Sequence, residues 1–63
     1  MYKSLINLIN WELSEAQENF NGWNEEHKMR MAKINGMIDA LSVLTGNEYH
    51  IDKSAVLKEG KGQ

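Results

Sequence analysis

The chain has no cysteine and no proline, and only one phenylalanine, among its 63 residues. Without cysteine there can be no disulfide framework and no thiolate metal site. That matters because a chain of this size buries only about 60% of the surface its unfolded form exposes. The opposing cost of ordering is roughly 1.5 kcal/mol per residue, and small domains usually offset it with disulfides, a metal or self-association. Self-association is therefore the leading expectation. The absence of cysteine also fits a cytoplasmic setting.

Long apolar runs are missing too. The N-terminal stretch MYKSLINLINWELSEAQ is interrupted by Asn7, Asn10 and Glu12. It has no small-residue cleavage site, so no signal peptide is expected. Nothing approaches the ~18 apolar residues of a membrane span. The net charge is −2 with both signs interspersed, whereas a nucleic-acid binder usually clusters a basic excess on one face.

What the sequence does have is helical periodicity. Tyr2, Ile6, Ile9, Leu13, Ala16 and Phe20 recur at alternating steps of four and three, the seam of a helix packed against another helix. This predicts a first helix over about residues 2–20. Asn19-Phe20-Asn21-Gly22-Trp23-Asn24 then carries a strong turn signal, with the turn itself at 21–24. A second helix follows over about 25–45, capped by Asn24 and opened by Glu25 and Glu26 against its dipole. Its seam is Met31, Ile34, Ile38 and Leu41, and Gly46-Asn47 is the expected stop. A single helix running through the turn would place His27 and Arg30 in the seam, so a reversal is the better reading. Antiparallel return then layers Ile6 on Leu41, Ile9 on Ile38, Leu13 on Ile34, Ala16 on Met31 and Phe20 on His27. It also sets Glu12, Glu15 and Glu18 opposite Lys28, Arg30 and Lys33. Gly36 lies far from the seam, as a tolerated surface glycine or a point of close approach by a second backbone.

The remainder is less regular. Residues 48–58 read as a small hairpin, with Ala55-Val56-Leu57 as the return strand, or as a short helix capped by Asp52. Residues 59–63 read as a frayed end. The fold class is thus mainly α: a single domain built as a helical hairpin with a short C-terminal hairpin or tail.

One helical hairpin cannot cover all the apolar surface these helices carry. Leu5, Leu8 and Trp11 form a second stripe on the first helix, beside Met1. Met29, Met37, Ala40, Val43 and Leu44 do so on the second. Contiguous apolar surface of this kind marks an interaction site. It predicts a homodimer or higher homo-oligomer, most economically a four-helix bundle with coiled-coil packing, or a protein partner. The candidate interface residues are Leu5, Leu8, Trp11, Met29, Met37 and Leu44. Trp11 and Trp23 suit interface anchors.

No catalytic chemistry stands out. His27 and His50 lie in different elements and lack the converging ligands a zinc site needs. The serines are scattered, with no nucleophile–base spacing. Glu12, Glu15 and Glu18 form a carboxylate ladder without the Glu-x-x-His partner of a di-metal bundle, so they read as a solvated face. No glycine-rich phosphate loop is present. The expectation is a non-enzymatic protein without cofactor or metal. Lys28, Arg30 and Lys33 are the basic cluster that could contact phosphate, next to Trp23 but also beside Glu25 and Glu26.

Residues Ile34 to Ile51, INGMIDALSVLTGNEYHI, resemble the ends of short uncharacterised proteins encoded by phages and prophages of Gram-positive bacteria. In those, a helix ends in a Thr-Gly step followed by a Tyr-containing strand. The resemblance spans less than a third of the chain and assigns no site residues. It implies an accessory protein of a mobile element that acts by binding, such as an inhibitor or adaptor. Two other readings stay open: a nucleic-acid-binding accessory protein using the basic cluster, and a structural small subunit of a larger assembly.

Overall fold

The computed structural model describes residues 2–60. Their order is α1 (Lys3–Glu18), α2 (Glu25–Thr45), β1 (Tyr49–Ile51) and β2 (Leu57–Glu59). The two helices run antiparallel, and the two strands form a β-hairpin packed against them.

Helix α1 has no side chain capping its start and no acidic residue in its first turn. Packing of one face therefore holds it: Ile9, Leu13 and Ala16 are buried. It stops two residues short of the expected Phe20. The Asn19 carboxamide donates to the Glu15 carbonyl at 2.8 Å, and the Phe20 N–H reaches back to the Gln17 carbonyl at 3.3 Å. These bonds close the last turn, and Gly22 then adopts φ +87°, a conformation that glycine enters without steric cost. The turn is a full reversal. Tyr2 meets Leu44, Glu12 meets Lys33 and Phe20 meets His27, close to the layers that the apolar spacing predicts.

Helix α2 is specified at both ends. The Asn24 side-chain oxygen accepts from the His27 N–H at 2.9 Å, satisfying one of the free donors of the first turn. Glu25 and Glu26 sit in that turn, where negative charge is favoured. At the other end Gly46 takes φ +75° and its N–H bonds the Ser42 carbonyl, the glycine stop expected there. Ile34, Ile38 and Leu41 form its buried face.

The tail forms the hairpin rather than a helix, but its return strand starts later than the sequence suggests. One Asp52 carboxylate oxygen accepts from the N–H groups of Ser54 and Val56, at 2.9 and 3.1 Å. This holds the loop through Val56, with Ala55 in the left-handed region at φ +60°. Pairing therefore begins at Leu57, opposite Ile51, and ends at Glu59, opposite Tyr49. Glu59, expected in the frayed end, is in the strand. The Gly60 N–H bonds the Glu48 carbonyl at 2.8 Å, so order extends past β2. Residues 61–63 of that expected end lie outside the described residues.

Among the described residues, seven apolar side chains are buried: the six helical ones above and Leu57. Ile51 and Tyr49 pack against them, and the Leu57 N–H donates to the Asn10 side-chain oxygen at 3.0 Å. The β-hairpin is thereby fixed to one side of the helical pair.

Candidate interaction surface

Helical positions turn by about 100° each, so the side that carries the β-hairpin on α1 is that of Asn10, Leu13 and Gln17. Leu8 and Trp11 lie on the other flank. On α2 the equivalent open flank holds Met29, Lys33, Met37 and Leu44. Trp11 and Met29 line one shallow groove there, together with Glu12, Arg30 and Lys33. Four of the six candidate interface residues are well exposed: Leu8, Trp11, Met29 and Leu44. The other two, Leu5 and Met37, are half-buried and pack against the core, because they stand closer to the helix–helix seam.

Glu12 is not part of a solvated face. It is 7% exposed, with one carboxylate oxygen 2.9 Å from Lys33 Nζ and the other 3.9 Å from Arg30 Nη1. The helical phase explains this: Glu12 stands three residues from Ile9 and four from Ala16, so it borders the buried face of α1. That phase was a signal in the sequence, masked by the neighbouring Glu15 and Glu18. Glu15 is half-buried and Glu18 exposed, and the three do not act as one cluster. Removing a buried carboxylate from water is costly unless it is paired, and two cations across the helix interface provide that pairing.

The basic cluster is divided accordingly. Arg30 and Lys33 face Glu12, while Lys28 projects from the opposite flank of α2, exposed. Phe20, expected at the end of the seam, is 48% exposed. It meets the His27 ring edge-on at 4.8 Å, and Trp23 meets the same ring at 4.7 Å. These three rings cap the turn end of the hairpin, a favourable edge-to-face arrangement. On the β-hairpin side, an apolar cleft of about 290 Å³ opens between Leu13, Ala16, Phe20, Met31, Ile51 and Ala55.

Among the described residues, no three His, Asp or Glu side chains converge on a position for a metal ion, and no helix is long and apolar enough to cross a membrane. No family model matches the chain, and neither a curated protein nor a solved structure is significantly similar to it.

Proposed function

We propose that this chain is a non-enzymatic protein-interaction module that works as a homo-oligomer in the cytoplasm. The observation that carries this reading is the apolar surface left on the side of the helical pair away from the β-hairpin. Leu8, Trp11, Met29 and Leu44 are 45, 57, 71 and 58% exposed. Large apolar side chains left exposed on one side of a small domain mark an interaction site. With seven buried apolar side chains among the described residues, there is a strong reason to cover those side chains by association. In the setting implied by the resemblance, an accessory protein of a mobile element, such a module serves as an inhibitor or adaptor. Nucleic-acid binding through Lys28, Arg30 and Lys33 lacks comparable support, since two of the three are engaged by Glu12.

Light scattering coupled to size exclusion, over a concentration series to about 1 mM, tests the proposal. The parent chain is expected to be a dimer or larger. The double variant Trp11→Lys/Met29→Lys is expected to be monomeric with unchanged helical circular dichroism. A parent chain that is monomeric throughout the series refutes the homo-oligomer.

A further inference from the structure

Helix α2 is apolar on two opposite sides. One side carries Ile34, Ile38 and Leu41 into the core. The other, pointing away from both α1 and the β-hairpin, carries Met29, Ala32, Gly36, Ala40 and Val43, all exposed. Met29 is 71% and Val43 82% exposed, and no charge interrupts the row between them. A helix apolar on opposite sides belongs in the interior of a bundle, yet none of the described residues covers the second side.

The outer row is also symmetric. Measured from Gly36, its members fall at −7, −4, 0, +4 and +7: large, small, small, small, large. Two copies of α2 laid antiparallel with their Gly36 residues opposed set Met29 of each against Val43 of the other, and Ala32 against Ala40. That is the condition for a twofold interface, in which one patch is complementary to itself. The charges agree. Lys28 and Asp39 share one flank of the row, exposed and without an ion-pair partner among the described residues. Antiparallel pairing brings Lys28 of one copy to within about 7.5 Å, measured along the axis, of Asp39 of the other. The charge on the opposite flank, Lys33, is already paired with Glu12. Gly36 has nothing within 4 Å of where a Cβ would stand. The fold of the single chain therefore gives no reason for glycine in mid-helix, where it costs about 1 kcal/mol relative to alanine. Close approach of a second backbone gives one.

We infer that the outer face of α2 is a homodimer interface, occupied by α2 of a second copy running antiparallel and crossing at Gly36. This rests on the self-association proposed above and centres it on the outer face of α2, which shares Met29 with the open flank. The helix is 21 residues long, about 31 Å by ~10 Å. Covering nearly half its circumference on both copies removes on the order of 1,000 Å², the lower bound for a specific interface. The dimer is accordingly of moderate affinity. It leaves Leu8 and Trp11 free for a different protein.

Two sets of variants test the geometry. Gly36→Leu fits the open space of the single chain but blocks approach of a second backbone. It is expected to retain helical circular dichroism and to weaken dimerisation at least about tenfold by light scattering. With no native cysteine, an oxidised mixture of Met29→Cys and Val43→Cys chains is expected to give the mixed disulfide dimer. Each variant alone is expected to give little, because its two copies lie about 21 Å apart along the axis. Should Gly36→Leu stay dimeric while Trp11→Lys/Met29→Lys is monomeric, the crossing at Gly36 is wrong and self-association through the open flank stands. Should each cysteine variant cross-link as readily with itself as with the other, the antiparallel arrangement is wrong. A parent chain that is monomeric at every concentration overturns both.

Discussion

The two sides of the helical pair differ in what covers them. On one, the β-hairpin seats Leu57, Ile51 and Tyr49 against the helical core and anchors itself to Asn10. On the other, Trp11 and Met29 stand more than half exposed beside the buried carboxylate of Glu12 and its ion pair with Lys33. Among the described residues, the β-hairpin covers one side only. The difference indicates that stability of the single chain resides on the covered side, while the open side is available for association. On the open side the buried carboxylate of Glu12 is met by long basic side chains crossing from α2, Lys33 and Arg30.

Substitutions can break this comparison or sharpen it. The largest effect is expected from Leu57→Ala, which empties the contact between the β-hairpin and the helices. A buried leucine truncated in this way costs about 2–3 kcal/mol, read by thermal or urea unfolding at fixed protein concentration. A loss as small as that of Leu8→Ala on the open side would mean that the two sides contribute equally and the comparison fails. Next comes the ion pair. Lys33→Ala leaves Glu12 with Arg30 at 3.9 Å and is expected to cost about 1 kcal/mol, because Lys33 is itself largely exposed and screened. Glu12→Leu removes the charge that requires pairing and is expected to be neutral or stabilising. If Glu12→Leu proves more damaging than Lys33→Ala, the pair contributes orientation or stability beyond its own desolvation. The smallest effect concerns the loop of the covered side. Ala55 sits at φ +60°, where a Cβ is disfavoured, so Ala55→Gly is expected to stabilise by about 0.5 kcal/mol. A net loss instead would show that the Ala55 methyl, which lines the apolar cleft beside Leu13 and Met31, matters more there than the backbone.

Much of this architecture is legible along the chain. The seams of α1 and α2 follow from apolar spacing, and Asn24, Gly22 and Gly46 mark the turn and the limits of α2 through local chemistry. The readings that failed share a cause. Phe20 keeps the period of α1, but side-chain bonding at Asn19 ends the helix before it. Ala55-Val56-Leu57 reads as the return strand, but Asp52 delays pairing to Leu57 by holding two backbone N–H groups in the loop. The Glu12-Glu15-Glu18 ladder reads as uniform, but each step of three turns the position by about 60°, so Glu12 is buried, Glu15 half-buried and Glu18 exposed.

By itself, the sequence determined the elements, their order, the reversal and the presence of more apolar surface than one hairpin can hide. Those properties depend on periodicity and on bonds between residues a few positions apart. The tertiary structure alone decided which side the β-hairpin covers, that Lys33 and Arg30 are the cations that meet Glu12, and that Leu5 and Met37 join the core while Trp11 and Met29 do not. Each of these depends on the rotation of one helix about its axis relative to its neighbours. That rotation is set by the packing of all the elements together, and no short stretch of the chain encodes it.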